Sequence, residues 1–397
     1  MRTIFTYHNL YLAYLECRTH KRKTINALAF EFDFEVKLAA LLSELRARTY
    51  QPGRSLYFVV TEPKPREIFA ADFCDRVVHH LFVRELLPFA ERQFTRDSFA
   101  CRTGKGTHRA VAQLRHFIRN NGEKSKPYYL QLDIRTFFPR IDKVILSDIV
   151  ERLIRSIAKS DVWMSEMLAL ARLIIWHDPT LSYVYRGNPQ LKALVPIEKS
   201  LVFQPKGKGL PIGNYTSQFF AHLYLHELDA FVKRTLRCRQ YVRYADDLIL
   251  LDPDPVCLRQ WQDEIGQFLA ARLSLHLQPK KTRLQPVRNG IDFLGYFLRT
   301  EYTLVRRNVV NRLKNKLCVF QSVPVNEAAR VLACLNSYCG HFRYARSFRL
   351  RRAIAERHVG VWRRSIEPTE TFAHFKRNGT EKHQDKNSGS IPAEWLG

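Results

Sequence analysis

Three carboxylates stand out by type and position. Asp133 closes the apolar run YYLQLDI (128–134), and the adjacent Asp246 and Asp247 interrupt QYVRYADDLILLD. Carboxylates are hard oxygen donors, and Mg²⁺ takes few of them alongside water and phosphate. Strand ends in one sheet would hold such groups rigidly and aim them at one point. Two divalent ions about 4 Å apart activate an attacking oxygen and neutralise a triphosphate with its leaving pyrophosphate, the chemistry of nucleotidyl transfer. In isolation an Asp-Asp pair is more often ordinary turn chemistry, so the surroundings decide.

Those surroundings read as follows. YYLQLDI predicts a short strand, and QYVRYADDLILLD two apolar strands around an Asp-Asp turn. SLYFVVTEPKPREIFAAD alternates around Pro-Lys-Pro and predicts a β-hairpin, with a helix to follow over DRVVHHLFVRELLPF. Upstream, FEFDFEVKLAALLSELRARTY predicts one amphipathic helix. THKRK (19–23) reads equally as a phosphate contact or a solvated turn, and CRTGKGTH (101–108) as a basic glycine loop leading into a helix. A helix-rich stretch runs to about residue 176 and a Pro- and Gly-containing segment to Gly209. A long helix starts near Asn214, another ends near His276, and IDFLGYFL is a short strand. Beyond residue 305 the chain is helical and very basic, and its last thirty or so residues read as a loose polar tail.

Composition narrows the classes. Lys and Arg number 64 against 38 Asp and Glu, a net +26, which points to a polyanionic partner. A 46% hydrophobic and 12% aromatic content excludes a disordered chain. The eight cysteines form no CxxC pair, which excludes an obvious zinc site and suits reduced core thiols. No signal peptide or run of ~18 apolar residues is present. The expectation is a cytoplasmic protein with no membrane partner.

Tyr244-Ala245-Asp246-Asp247, flanked by apolar strands, resembles the YxDD box of reverse transcriptases, and LDIRTFFPRID (132–142) their first palm motif. GKGLPIGNYTSQ (207–218), QPKKT (278–282) and GIDFLGYFL (290–298) are similar to the third motif, the lysine-bearing fourth and the primer-grip hairpin. EPKPREIFAADFCDRVVHH (62–80) and SFACRTGKGTH (98–108) resemble the two fingers motifs. These seven segments stand in family order over roughly residues 50 to 300.

The resemblance implies an α+β fold, a right-hand polymerase with fingers, a small antiparallel palm sheet and a helical thumb. The expected division is an N-terminal helical region (1–50), fingers and palm (51–300), a basic thumb (301–365) and a polar tail (366–397). No segment is left for an RNase H, integrase or nuclease domain. Asp133, Ile134, Asp246 and Asp247 would hold two Mg²⁺ ions, for which Mn²⁺ can substitute. Phe138 stands where the family places a ring beneath the incoming sugar, where it would clash with a ribose 2′-OH. Phe137, one residue offset on an extended strand, reads as core.

Lys64 and Arg66, alternating on the first fingers strand, would bind triphosphate as point charge and bidentate fork. Gly213 would admit the nascent base pair, with Gln218 beside the nucleotide. Arg102 and Lys105 would touch template or phosphate, Leu294, Gly295 and Tyr296 the primer end, and Arg306 and Arg307 the nucleic-acid backbone. Tyr296 reads equally as packing. Lys281 would protonate the leaving pyrophosphate, with Lys280 an equally near rival.

The chain departs from retroviral and group II intron enzymes in having Ile212, not Gln, before Gly213, and Ser217-Gln218, not Ser-Pro, at the motif's end. That form resembles the enzymes of diversity-generating retroelements, and related antiphage-defence enzymes resemble it too. Losing the Gln amide removes a polar contact to the nucleotide and weakens any case for high fidelity. The implied partners are an RNA template (a dedicated noncoding RNA), a DNA or RNA primer, dNTPs, and an accessory protein or a second copy. An RNA-dependent RNA polymerase and a catalytically silent RNA-binding protein are the alternative readings.

The charge generates a test. RNA affinity is expected to fall steeply with salt, with a log–log slope of about −0.7 per phosphate neutralised on a single strand. A flat dependence from low to moderate salt would mean that the charge serves another purpose.

Overall fold

The computed structural model describes residues 3–19, 24–120, 127–324 and 327–378. Most of THKRK, and the tail beyond residue 378, lie outside them. Helices α1 (Tyr7–Arg18), α2 (Ile25–Glu31) and α3 (Phe34–Ala47) form the N-terminal region. The single helix expected here is broken between Glu31 and Phe34, where Asp33 leaves helical geometry (φ −138°, ψ 38°). The periodicity carries across this break, which is why the sequence reads as continuous.

A hairpin follows, β1 (Ser55–Val60) and β2 (Arg66–Ala70), in the register Val60↔Arg66 and Leu56↔Ala70. Lys64 lies in the turn, outside either strand, so only Arg66 of the two basic residues begins a strand. The Pro-Lys-Pro run cannot supply the ladder's N–H donors, which ends β1 early. Helix α4 (Phe73–Gln93) buries Val77, Val78, Leu81, Phe82 and Leu86 completely, and α5 (Thr107–Asn120) follows the glycine loop.

The centre comprises β3 (Tyr128–Asp133), α6 (Phe137–Arg140), α7 (Lys143–Arg155), α8 (Asp161–Trp176) and β4 (Tyr183–Tyr185), then α9 (Tyr215–Ala230), β5 (Gln240–Tyr244), β6 (Asp247–Asp252), α10 (Pro255–Leu273) and β7 (Arg283–Pro286). Strand β4 pairs in parallel with β1. The central antiparallel sheet runs β5-β6-β3-β7. Leu130, Leu132, Tyr241, Leu248 and Leu250 belong to the large core that includes α4 and α9. Tyr129, Val242, Ile249 and Leu251 belong to a second core with α5 and the strands beyond β7. Both faces are covered, so these strands read as continuous apolar runs and not as alternation.

Next come β8 (Ile291–Phe293), β9 (Tyr296–Leu298) and β10 (Thr303–Val305), a small sheet of its own. The C-terminal helical unit is α11 (Arg307–Phe320), α12 (Ala328–Phe342) and α13 (Phe348–Arg357), with its own core around Leu313, Val331, Phe342 and Trp362. Residues 366–378, expected as the start of a loose tail, are part of the fold. β11 (Ile366–Pro368) pairs with β12 (Phe375–Arg377), and Ile366 and Phe375 are buried in the same core. Two apolar anchors in a polar stretch were enough to fold it back. No helix among the described residues is long and apolar enough to cross a membrane.

β3 ends at Asp133, so Phe137 and Phe138 open the short helix α6 and do not alternate on a strand. Phe137 is 4% exposed, whereas Phe138 is only partly buried. Phe137→Ala is therefore expected to cost about 3–5 kcal/mol of stability, and Phe138→Ala clearly less. Urea unfolding of both variants measures the difference, and equal losses would contradict it.

Candidate active site

Strand register brings the distant carboxylates together. Asp133 at the end of β3 pairs directly with Asp247 at the start of β6, and Tyr244 closes the β5–β6 hairpin against Asp247. The two-residue turn is thus Ala245-Asp246, with Asp247 already in the strand. Ala245 sits at φ +54°, in the left-handed region that costs an alanine roughly 1–2 kcal/mol. The Ile134 amide donates to the Asp246 carbonyl at 3.3 Å, tying the two strand ends through backbone.

The carboxylates oppose one another electrostatically. Burial, then the charges of Asp246 and Asp133, push the Asp247 carboxyl up to about 7. Burial and Asp133 raise Asp246 as well, while Lys281 and Arg66 pull it down. Lys281 Nζ donates to Asp133 Oδ2 at 2.5 Å. Desolvation lowers the Lys281 pKa, but the bond to Asp133 and the three acidic charges outweigh it, and the net shift is upward. Of the two candidate lysines, Lys281 is the one whose amine bonds Asp133.

Among the described residues, no group of three or more His, Cys, Asp or Glu side chains is spaced to hold a metal ion unaided. The donor set still fits Mg²⁺ chemically. The acids are hard donors whose mutual repulsion a cation would relieve, and Mg²⁺ fills most of its shell with water and phosphate. Ile134, with an apolar side chain, could contribute only its carbonyl.

Arg66 is exposed, yet its charge is felt at Asp246. Lys64 stands in the hairpin turn near Glu62, which pairs with Lys316 of α11 at 2.5 Å. The Gly213 loop lies along β2: Phe69 N–H donates to the Ile212 carbonyl at 2.8 Å, and Ala71 N–H to Asn214 Oδ1 at 2.9 Å. At φ +128°, a Cβ on Gly213 would meet Ile68 Cγ2 at 2.9 Å and the Phe69 carbonyl at 3.2 Å. Its glycine is required by β2, whatever it also does for a base pair. Buried Glu67 anchors the same region, accepting from Tyr57, from Ser200 Oγ at 2.7 Å and from Leu201 N–H at 2.7 Å. Gln218 is exposed on the first turn of α9.

Two expected nucleic-acid contacts, Arg102 and Tyr296, are corrected. The Arg102 side chain is only 6% exposed, held by Glu91 at 2.6 Å and by the Thr95 and Ser98 carbonyls, so it braces the loop and cannot reach a template. Lys105 caps the Arg96 carbonyl at 2.6 Å over the Phe99 ring. Tyr296 is fully buried, its packing reading prevailing, while Leu294 and Gly295 form the β8–β9 turn. Arg306 leans on Asp292 at 3.4 Å, and Arg307 is exposed at the start of α11.

Sequence reasoning missed the pair beneath the turn. Arg243 and Asp229 are buried and bidentate, at 2.6 and 2.5 Å, and Tyr241 also donates to Asp229 at 2.7 Å. Arg243 Nη1 donates to the Ala245 carbonyl at 3.2 Å, holding the strained residue next to Asp246. An arginine in an otherwise apolar strand was the signal available.

Comparison with known proteins gives the following. A profile of the family described as reverse transcriptase (RNA-dependent DNA polymerase) matches residues 62–298. Protein YkfC of Escherichia coli (strain K12) is 21% identical over 308 residues, 69% of this chain and 74% of that protein. Apo telomerase from Candida tropicalis aligns with TM-score 0.48 and 11% identity over 73% of this chain and 52% of its own. Telomerase from Candida albicans, solved with a TWJ fragment of telomeric RNA, gives 0.45 and 13% over 75% and 56%. The chain thus spans little more than half of those telomerase chains.

Asp229→Asn should destabilise the protein by about 3–5 kcal/mol, because it strands a buried guanidinium. Pairing Asp229→Leu with Arg243→Met should restore much of the melting temperature without restoring the bond to Ala245. Any catalytic rate should therefore stay low in the double variant; full activity there would deny Arg243 a role in holding the turn.

Proposed function

This chain belongs to the reverse transcriptase (RNA-dependent DNA polymerase) family, and from that premise we propose that it makes cDNA on an RNA template from dNTPs. It is an RNA-directed DNA polymerase, a nucleotidyltransferase. The observation that carries the detailed reading is the cross-strand pairing of Asp133 with Asp247, beside Asp246 and under the Lys281 ammonium.

In this reading the central sheet is the palm, β1–β2 and their surroundings the fingers, and residues 301–365 the thumb. Asp133, Asp246 and the Ile134 carbonyl hold two Mg²⁺ ions, with Asp247 in support. When bound, such ions activate the 3′-oxygen and neutralise the triphosphate. Arg66 offers a fork to the phosphates, and Lys64 a more distant point charge. Lys281, its pKa held up by Asp133, is better suited to steadying negative charge than to giving up a proton. It becomes a proton donor only when another cation engages Asp133. Partly buried Phe138 forms the sugar gate and Gln218 flanks the nucleotide. Leu294 and Gly295 meet the primer end, and Arg306, Arg307 and Lys105 meet phosphates.

For the biological setting we favour a diversity-generating retroelement, on the strength of Ile212-Gly213 and Ser217-Gln218, with the enzyme working in the cytoplasm on a dedicated noncoding RNA. An antiphage-defence enzyme would use the same residues. Sequencing the RNA that co-purifies, and reading the neighbouring genes, separates the two.

Asp246→Asn is expected to abolish primer extension while folding and RNA binding persist, since Asn keeps the shape without the charge. Extension above ~1% of the parent rate would sink the assignment, because two-metal stabilisation is worth several kcal/mol.

Phe138→Ala should raise ribonucleotide incorporation in absolute terms, because it deletes a clash and not an attraction. The ratio of kcat/KM for a dNTP and its matching rNTP is the measurement. An unchanged ratio would make Phe138 a core residue and remove the main support for deoxynucleotide selection.

A further inference from the structure

The junction between the C-terminal helical unit and the central core carries one polar cluster that the reading above does not use. Tyr296 on β9 is fully buried, and its hydroxyl meets three groups. It donates to the His341 carbonyl at 2.8 Å and lies 3.1 Å from His341 Nδ1 and 3.2 Å from His108 Nδ1. A phenol has one proton, and the carbonyl can only accept it. Both Nδ1 atoms must therefore be donors, filling the two lone pairs of the hydroxyl oxygen. The network fixes both histidines in one tautomer and is fully satisfied around Tyr296.

Stacking reinforces it. The Tyr296 and His341 rings stack at 4.2 Å, and His108 stacks on Tyr344 at 3.6 Å with planes 13° apart. His341 also presses on the β8–β9 turn. A Cβ on Gly295, at φ +86°, would lie 3.0 Å from His341 Nε2, so the ring would have to give way. Three elements converge: β9 brings Tyr296, α5 brings His108, and α12 brings His341. The residue before His108 reaches the other way, with Thr107 Oγ1 donating to Tyr244 Oη at 3.2 Å. One turn of α5 thus touches both the hairpin that bears Asp246 and the seat of the helical unit.

We propose that His341 and His108 are positioning residues: through Tyr296 they latch α12 onto the Leu294-Gly295 turn and α5, setting where the helical unit holds a primer–template duplex. The duplex part of this rests on the polymerase reading; the latch itself does not. Its consequence is retention of the nucleic acid between successive additions, with the chemistry of one addition left to the carboxylates.

Three full-length variants test it: His341→Ala, His341→Gln and His341→Asn. The amide nitrogen of Asn is bonded to Cγ, as Nδ1 is, and can replace its donor; that of Gln sits one atom too far. The first readout is hydrogen exchange of amides 294–306 in the protein without nucleic acid. His341→Ala and His341→Gln should exchange about tenfold faster there, as loss of a buried hydrogen bond implies. His341→Asn should stay near the parent. The second readout is primer extension with a trap for released enzyme. The same two variants should add several-fold fewer nucleotides per binding event, with the first addition at saturating primer–template nearly unchanged, and Asn should rescue. Parent-like exchange in all three variants would overturn the latch. Faster exchange with undiminished product length, or failure of Asn to rescue either readout, would overturn the positioning role. A parent protein that extends no primer would instead defeat the polymerase reading, and exchange would still decide the latch.

Discussion

Three like charges must be held within reach of one another, and the rest of the molecule answers to that constraint. Burial, and after it the neighbouring carboxylates, raise the proton affinity of Asp246 and Asp247. A flexible scaffold would let them separate. Here they sit on the ends of two paired strands, sealed on both faces by apolar cores, and the turn carrying Asp246 is pinned from below by the Arg243–Asp229 pair. A buried ion pair is weak evidence of net stability, so its value here is geometric. It fixes the carbonyl of a left-handed alanine immediately before Asp246.

The same constraint explains the long excursion between β3 and β5. The chain leaves the sheet after Asp133, builds α7 and α8, and returns along β2 through the Gly213 loop. Two buried anchors, Glu67 and Asn214, set the hairpin against that loop. Arg66 is the next residue to Glu67, so the anchor that fixes the fold also sets the backbone of the cation whose charge is felt at Asp246. At the far side, the Lys316–Glu62 pair joins the hairpin turn to α11, and the Tyr296 cluster joins α12 to the central core. The C-terminal helical unit is therefore tied to the rest of the molecule at two separate places.

Misreadings cluster where a charged or polar side chain met a partner remote in sequence. Arg102 reads as a free basic residue in a glycine loop, but Glu91, near the end of α4, pairs with it at 2.6 Å. Tyr296 reads equally as a primer contact or as packing, and two histidines from other elements surround its hydroxyl. Lys64 appeared to alternate with Arg66, but the prolines on either side keep it out of the strand. In each case the local pattern was right about residue type and silent about its neighbour.

The sequence by itself determined the family and the main central elements, and singled out the three acids. Those follow from short-range information: apolar runs that must be buried strands, a two-residue turn between them, and motif spacing along the chain. Only the tertiary structure decided the rest. It paired Lys281 and not Lys280 with Asp133, made Phe137 core and left Phe138 only partly buried, turned Gly213 into a packing requirement of β2, and revealed Arg243 with Asp229. Each of these depends on which side chains meet across strands or between helices. Register and packing are cooperative properties of the whole chain, and no local window of residues encodes them.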